Sequence, residues 1–336
     1  MLPLTIVLPF EAGGIEAMSD WTRRGFIGTA LSAGTALPAL GTLALAQSPT
    51  PAQANVKVES DVVFGKGGDM DLKLDIYRPP AGVTPKRMAT IHFHGGGFTG
   101  GNKESLSERV KPYAALGYVA IAAQYRLAGQ AGYPALVHDA KAAIRWARAN
   151  AARLGIESQR IGVVGYSAGG YHALFTAGTG DRPEFEGSGG NPGVSTKVAV
   201  CLAYYPATNV PNSMMPAGSD AAALKVANAT TYIAAGFPPI AIFHGMKDTT
   251  IPIESSKRLV QQFQDVQVPV EFHAFEGVPH VFDSNPEFAV LSAQLADFFI
   301  DRHVLNPRTY PPFQPGGDGG RGGRGGAPAG GGGRGA

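Results

Sequence analysis

Two features of this chain predict an α/β fold with a mostly parallel central sheet, helices on both faces and an antiparallel hairpin at its start. The first is a pair of alternating segments, Val58–Phe64 and Asp71–Tyr77, which flank the glycine-rich turn Gly65–Asp69 and are typical of a β-hairpin. The second is the series that follows, in which short apolar runs alternate with amphipathic ones as far as His303.

The strands predicted after the hairpin are short and apolar, as expected where both faces of a sheet are covered. They comprise Met88–Phe93, Tyr118–Ala123, Arg160–Val164, Val198–Tyr204, Ile240–Phe243 and Val270–Phe275. Helical spacing of apolar residues predicts helices between them. These comprise Ser105–Leu116, Pro134–Leu154, Gly170–Ala177, Glu254–Asp265 and Phe288–His303. Ligands of such sheets bind beyond the carboxyl ends of the strands, so a site is expected in the loops that follow them.

Length and composition indicate one large folded domain with an extension at each end. The 336 residues are 44% apolar, which is enough for a sizeable core. We expect an N-terminal extension with an export signal over residues 1–54, the α/β domain over residues 55–314 and a disordered Gly/Arg-rich tail over residues 315–336.

The charge distribution argues against a nucleic-acid partner. The tail carries a formal charge of +2 and the region up to Ala46 carries −1, which leaves +1 of the total +2 on the folded body. Arg321, Arg324 and Arg334 lie in Gly-Arg-Gly settings that resemble RNA-binding segments, but the tail lacks aromatic residues. We interpret it as a flexible tail with weak affinity for anionic surfaces, and no nucleic acid is expected to bind.

The N-terminal segment resembles a twin-arginine export signal. Thr22–Ile27 contains paired arginines and precedes an uncharged run that ends in Ala44-Leu45-Ala46. The start is either Met1 or Met18, and cleavage is expected after Ala46 or Ala54. Because Gly, Ala, Ser and Thr make the run only moderately apolar, removal is favoured over a stable membrane anchor. The expected location is periplasmic or extracellular, and the expected partner is the twin-arginine export machinery.

The single cysteine, Cys201, fits this export route because proteins exported in the folded state need no disulfide framework. It lies within an apolar strand and is predicted to be a core residue rather than a nucleophile.

The sequence Gly165-Tyr166-Ser167-Ala168-Gly169 carries the chemistry. It is a G-x-S-x-G run between a predicted strand and a predicted helix, where a sharp turn projects a serine hydroxyl clear of its backbone. Glycines two residues either side leave room for the turn. The helix N-terminus directs backbone N–H groups at a negative charge that forms beside Ser167.

A serine nucleophile needs a base and an acid that orients the base. The favoured base is His280, on the loop after the last strand. Apart from His94 at the start of a glycine loop, the other histidines lie in predicted strands, helices or turns: His92, His138, His172, His244, His273 and His303. The favoured acid is Asp248, directly after the Ile240 strand and between Ser167 and His280 in chain order. Asp283 is the alternative acid, and we interpret it instead as a helix-capping or loop residue.

Donors for an oxyanion are expected on the glycine loop His94-Gly95-Gly96-Gly97-Phe98, which follows the Met88 strand. Its glycines let the backbone approach a substrate oxygen closely. The backbone N–H groups of Gly96, Gly97 and Ala168 are the predicted oxyanion hole.

These motifs resemble the α/β-hydrolase superfamily, in particular the carboxylesterases with an HGGG loop. The resemblance covers Val58–His303 and rests on four segments in the family's order: His94–Gly97, Gly165–Gly169, His244–Pro252 and Val278–Phe282. Tyr166 before the serine and the H-G-x-x-D-x-x-I-P form around Asp248 are more similar to bifunctional xylan/feruloyl esterases and to prolyl-oligopeptidase-like catalytic domains. The insertions around Asp181–Ser195 and Pro211–Gly236 imply a small cap or none.

The resemblance implies a serine hydrolase that cleaves carboxylic esters with short-chain or carbohydrate-linked acyl groups, through an acyl-enzyme and without cofactor or metal. Three alternatives stay open. An amidase or peptidase would use the same triad. A metal-dependent hydrolase would use the His92-Phe93-His94 pair, although alternating strand residues point to opposite faces. A catalytically silent binding protein would keep the fold without its chemistry.

Overall fold

The computed structural model describes Gln53 and residues 55–311. The predicted export signal, with its two possible starts, and the predicted Gly/Arg-rich tail therefore lie outside the described residues. Within the described part of the chain, no helix has the length and hydrophobicity that a membrane span requires.

One eight-stranded sheet organises the molecule, with strand order β1-β2-β4-β3-β5-β6-β7-β8. The strands are β1 (Lys57–Gly67), β2 (Met70–Arg78), β3 (Ala89–Phe93), β4 (Val119–Ala123), β5 (Ile161–Tyr166), β6 (Val200–Tyr204), β7 (Ile240–Gly245) and β8 (Val270–Phe275). The pairs β1–β2 and β2–β4 are antiparallel, and the other five pairs are parallel. The predicted fold class, a mostly parallel sheet that begins with an antiparallel hairpin, is confirmed.

The predicted helices occur in the predicted order, with shifted ends. The helices are α1 (Ser107–Ala115), α2 (Ala135–Ala149), α3 (Ala151–Leu154), α4 (Ala168–Gly178), α5 (Pro183–Glu186), α6 (Ala221–Ala227), α7 (Ile253–Asp265) and α8 (Pro286–Ile300). Two short helices among them, α5 and α6, were not predicted. The single helix predicted over Pro134–Leu154 is wrong, since it is interrupted at Asn150, whose side-chain amide donates to the carbonyl of Trp146 at 2.9 Å. The last α-helix ends at Ile300 and continues as a π-turn over Asp301–Leu305, not as the predicted α-helix up to His303.

Hydrophobic side chains cover both faces of the sheet. Along β4 the faces alternate, since Ile121 belongs to one core cluster while Ala120 and Ala122 belong to the other. The first cluster packs against α2 and α4, and the second against α1 and α8. Burial on both faces explains why the parallel strands are apolar without alternation.

A buried cluster of charged side chains holds the first insertion, Asp181–Ser195, against α2. Lys141, whose side chain is fully buried, donates to the Thr179 carbonyl at 2.6 Å and to Glu186 at 2.7 Å. One turn along, Arg145 donates to the carbonyls of Glu186 and Gly190 at 2.8 and 2.9 Å. Buried cations require such partners, so this cluster defines the path of the insertion.

Candidate active site

Ser167 lies in the sharp turn between β5 and α4, with φ 55° and ψ −114°. This conformation costs a residue other than glycine free energy, so the surroundings must hold it. The Ser167 N–H donates to the Tyr204 carbonyl at 3.0 Å, and the Ser167 carbonyl accepts the N–H groups of Gly170 and Ala207 at 2.9 and 3.0 Å. These three bonds fix the direction in which the hydroxyl projects.

Both glycines of the G-x-S-x-G run have a packing reason. A Cβ at Gly165 would lie 2.0 Å from the Gly169 carbonyl oxygen, and a Cβ at Gly169 would lie 2.0 Å from the Phe93 carbonyl oxygen. Real Cβ atoms do not approach backbone oxygens so closely, so only glycine fits either position.

The structure brings Ser167, His280 and Asp248 together in one hydrogen-bonded chain. His280 Nε2 is 2.9 Å from Ser167 Oγ, and His280 Nδ1 is 2.6 Å from Asp248 Oδ2. The other carboxylate oxygen, Oδ1, accepts the N–H groups of Thr250 and Ile251, both at 2.8 Å. Because a carboxylate only accepts, Nδ1 carries the ring proton and Nε2 is free to accept the proton of Ser167.

The glycine loop after β3 lies beside this chain. Gly96 (φ 123°) and Gly97 (φ 60°) adopt conformations that favour glycine, and a Cβ on Gly96 would lie 2.2 Å from the Gly100 carbonyl oxygen. Ala168, as the first residue of α4, has an N–H that no helical carbonyl can accept. Among the described residues, no loop or turn hydrogen bond uses the N–H of Gly96, Gly97 or Ala168.

His94 holds the start of this loop. Its Nδ1 donates to the Gly95 carbonyl at 2.8 Å, and its ring stacks on that of Tyr125 with centroids 4.4 Å apart. The Tyr125 hydroxyl donates in turn to the His94 carbonyl at 2.7 Å. The histidine before the three glycines is therefore a structural support for the loop.

A pocket of about 310 Å³ opens onto Ser167 and His280. Its other walls are formed by Gly95–Gly97, Ser105, Arg109, Tyr166, Tyr205, Thr250 and Val281. None of these wall residues comes from Asp181–Ser195 or Pro211–Gly236, the two insertions for which the sequence implied a small cap or none. A separate cavity of about 370 Å³, lined by residues that include Arg145 and Asp181, lies within the first insertion.

The central part of this chain matches a known protein family. The family model described as BD-FAE matches residues 74–263, more than half of the chain. The chain belongs to the BD-FAE family. Together with the sheet order and the parallel pairing, this match confirms the predicted α/β-hydrolase resemblance.

Similar proteins are carboxylic ester hydrolases by name. The chain is 26% identical over 248 residues to the probable carboxylic ester hydrolase LipM of Mycobacterium tuberculosis, which covers 67% of this chain and 56% of LipM. It is 27% identical over 263 residues to the esterase LipQ of the same organism, which covers 72% of this chain and 62% of LipQ. This BD-FAE chain thus matches less than two thirds of the length of either relative.

Among solved structures, a thermophilic esterase of Thermogutta terrifontis, Est2, is similar at a TM-score of 0.63 and 29% identity, over 77% of this chain and 96% of Est2. Est2 has also been solved phosphorylated by paraoxon, and that structure matches at a TM-score of 0.64 and 28% identity over 78% of this chain and 99% of Est2.

His244 supports the loop that carries Asp248 in this BD-FAE chain. It lies in β7 rather than in the predicted turn, and its side chain is fully buried. Its Nε2 lies 2.9 Å from the Ile251 carbonyl and 3.1 Å from Asp248 Oδ2, and its Nδ1 lies 2.7 Å from Ser256 Oγ. Burial lowers the pKa of His244, so the ring stays neutral near pH 7 and acts as a brace.

The pair His92-Phe93-His94 does not converge on a metal. His92 is buried between Thr90 and Tyr166, with ring nitrogens 3.0 and 3.1 Å from their hydroxyl oxygens, while His94 supports the glycine loop. Burial lowers the pKa of His92 to about 3. Across Gln53 and residues 55–311, no group of three or more His, Cys, Asp or Glu side chains is arranged to hold a metal ion.

Cys201 is buried in β6, in the position predicted for a core residue.

Asp283 was predicted to be a helix-capping or a loop residue, and it does not cap a helix. The N-cap of α8 is Asn285, whose side chain accepts the Glu287 N–H at 2.9 Å. Asp283 lies in the short turn Phe282–Ser284, is buried and pairs with Arg109, whose Nε is 2.8 Å from Asp283 Oδ2. Arg109 and Tyr205, two pocket residues, could not be predicted from the sequence, because their contacts form only when α1, the end of β6 and the turn Phe282–Ser284 meet.

Proposed function

We propose that this chain is a serine hydrolase that cleaves carboxylic esters through an acyl-enzyme on Ser167. The observation that carries the proposal is the chain Ser167–His280–Asp248, with distances of 2.9 and 2.6 Å, at the wall of an open pocket. Membership of the BD-FAE family and the named activities of LipM, LipQ and Est2 support it.

In the acylation step, Ser167 Oγ attacks the ester carbonyl carbon while His280 Nε2 accepts the hydroxyl proton. Asp248, held by two backbone N–H groups, keeps the proton of His280 on Nδ1 and stabilises the imidazolium that forms. The carbonyl oxygen becomes an oxyanion, which the N–H groups of Gly96, Gly97 and Ala168 would bind. Collapse breaks the bond to the alcohol oxygen, and the imidazolium returns its proton to the departing alcohol.

Deacylation repeats these steps with water. His280 Nε2 takes a proton from a water molecule whose oxygen attacks the acyl carbon, and the second oxyanion occupies the same N–H groups. Its collapse releases the carboxylic acid and restores the Ser167 hydroxyl. No cofactor takes part in this sequence.

The pocket supports small acyl groups as substrates. Its volume of about 310 Å³ lies at the low end for ligand pockets. Its described walls contain no residue of the two insertions, which leaves an approach for an ester borne on a larger molecule such as a polysaccharide. We expect kcat/KM for p-nitrophenyl esters to be highest for acetate to butyrate and to fall for octanoate.

Substitution of the nucleophile tests the proposal. Ser167→Ala is expected to lower kcat/KM for p-nitrophenyl acetate by about 10⁴-fold or more, because the residual rate comes from the oxyanion donors and binding alone. The thermal unfolding midpoint should stay within a few degrees of that of the unmodified protein. Ser158→Ala, at an exposed serine away from the pocket, is the control and should keep full activity. Full turnover by Ser167→Ala would remove the basis of the proposal.

We further propose that the protein is exported through the twin-arginine route and acts in the periplasm or outside the cell. Support comes from the Arg23-Arg24 pair and the moderately apolar run after it. The double variant Arg23→Lys with Arg24→Lys should keep the precursor inside the cell. Cell fractionation followed by an immunoblot with an antibody against the Gly/Arg-rich tail would show where the protein is. Export of the double variant at the normal rate would contradict the assignment.

A further inference from the structure

A buried carboxylate that takes no part in the triad lies three residues after His280. Asp283 is 1% exposed, and its Oδ1 accepts a hydrogen bond from the Tyr205 hydroxyl. Its Oδ2 is 2.8 Å from Nε of Arg109. Burial raises the pKa of Asp283, and the Arg109 guanidinium and the Tyr205 hydroxyl act in the opposite direction. Two partners from other parts of the chain thus compensate one buried acid.

Tyr205 connects this acid to the proposed catalytic base. Its ring packs against the His280 ring with centroids 4.5 Å apart and planes at 61°. Its backbone, at φ 36°, is held by a 2.7 Å hydrogen bond from its N–H to the Phe243 carbonyl. The ring position is therefore fixed at both ends, by the backbone bond and by Asp283.

The pair between Arg109 and Asp283 is not explained by stability. Replacing a buried ion pair by apolar side chains is often neutral or stabilising, since desolvation offsets the attraction. Arg109 also lies over the Tyr166 ring, 5.5 Å from its centroid, and lines the same pocket as His280. The pair thus lies beside the pocket that contains His280 rather than in a distant part of the core.

We propose that Tyr205 and Asp283 are positioning residues for His280, and that the Arg109–Asp283 pair balances the charge around its imidazole. This inference rests on the proposed function, in which the ring alternates between neutral and protonated forms. Tyr205 holds the ring in line with Ser167 and Asp248. The Asp283 carboxylate favours the protonated form, and the Arg109 guanidinium opposes it.

Five titratable or charged groups surround His280 from the elements packed around it. Asp248, on the loop after β7, accepts from Nδ1, and His244 contacts that carboxylate. Tyr205, at the end of β6, packs against the ring. Asp283 follows His280 on the same segment and pairs with Arg109 of α1. His244 is neutral near pH 7, because burial lowers its pKa. The net charge near the ring therefore depends on Asp248, Asp283 and Arg109.

The pH dependence of kcat/KM tests the electrostatic part. Asp283→Asn removes the negative charge that offsets Arg109, so the imidazolium is disfavoured. The acid limb of the profile should move to lower pH by about 0.5–1 unit. The double variant Asp283→Asn with Arg109→Gln removes both charges, and its limb should return to within about 0.3 unit of that of the unmodified enzyme.

Asp297→Asn is the matched control. Asp297 likewise accepts from a tyrosine hydroxyl, that of Tyr118 at 2.5 Å, and pairs with the cation Lys86, but it lies on α8 and lines no wall of the pocket. The acid limb of the pH profile of the Asp297→Asn enzyme should not move. Equal limbs for the Asp283→Asn and Asp297→Asn enzymes would overturn the electrostatic proposal, even if the Asp283 variant loses stability.

Tyr205 provides a second measurement if the Asp283→Asn protein fails to fold. Tyr205→Phe keeps the ring and removes one hydrogen bond to Asp283, whereas Tyr205→Leu removes the ring that covers His280. We expect kcat per folded molecule to fall about threefold in the first and tenfold or more in the second, with KM within about twofold of normal. Unchanged kcat in Tyr205→Leu would overturn the positioning role. An inactive unmodified protein would instead refute the proposed function.

Discussion

The active-site end and the first insertion differ in which residues take strained backbone conformations. Around the pocket, residues with positive φ include Phe98, Ser167, Tyr205 and Val281. In the insertion they are Asp181 and Asn191, besides glycines. Asp and Asn adopt this conformation at low cost, whereas aromatic and β-branched residues do not. Of these two regions, the active-site end therefore has the more strained backbone, whereas the insertion uses residues that adopt positive φ at low cost.

The active-site end and the first insertion also differ in what their buried charged side chains contact. In the insertion, Lys141 and Arg145 donate to backbone carbonyls and to Glu186, which fastens a loop. At the candidate active site, Asp283 pairs with Arg109 near His280, the proposed base. We therefore expect substitutions at the pocket to change rates and substitutions in the insertion to change stability.

Among the substitutions that test this comparison, the largest effect is expected for Asp248→Asn. An amide in place of the carboxylate no longer keeps the His280 proton on Nδ1, so kcat for p-nitrophenyl acetate should fall by about 10⁴-fold. Steady-state kinetics and circular dichroism would measure rate and folding together. A fall in kcat of less than tenfold would contradict the role assigned to this acid.

A smaller effect, on stability alone, is expected for Glu186→Gln. Lys141 and Arg145 would lose their carboxylate partner and remain buried, so the free energy of unfolding should fall by about 3 kcal/mol. Urea unfolding would measure this change, and kcat should stay unaltered. Glu184→Gln, at a neighbouring glutamate with a half-exposed side chain, is the control without a stability change. A drop in kcat of Glu186→Gln without loss of stability would contradict the comparison.

The smallest effect is expected for Val281→Gly. Val281 has φ 60° directly after His280, so glycine should relieve strain and raise the free energy of unfolding by about 1 kcal/mol, after the entropy of the unfolded chain is included. Asn191→Gly, at φ 45° in the insertion, should change it by less than about 0.5 kcal/mol. Thermal unfolding of both proteins would measure the difference. Equal shifts would show that the active-site end is not the more strained of the two regions.

Much of the fold and of the candidate triad could be predicted because it depends on local order. Apolar runs of strand length, separated by helical periodicity, predicted the sheet, and its parallel strands bring their carboxyl ends to one edge. Ser167, Asp248 and His280 each follow such a strand, so their meeting follows from topology.

The remaining features depend on contacts between distant segments. The sequence indicated a helix-capping or loop residue at Asp283, and only the packing of α1 against the last loop reveals Arg109 as its partner. Lys141 and Arg145 lie on a helix that was predicted from its apolar periodicity, and that periodicity does not reveal that the insertion buries both charges. The interruption at Asn150 has no glycine or proline signal, so periodicity alone joined α2 to α3.

Covalent trapping of the nucleophile tests the central claim most directly. A fluorophosphonate reacts with a serine only where a base and oxyanion donors activate it. Intact-mass and peptide measurements should show a single adduct on Ser167, formed at the rate at which esterase activity is lost, and no adduct on Ser167→Ala. An active enzyme that resists the reagent, or one that carries the adduct on another residue, would contradict the account.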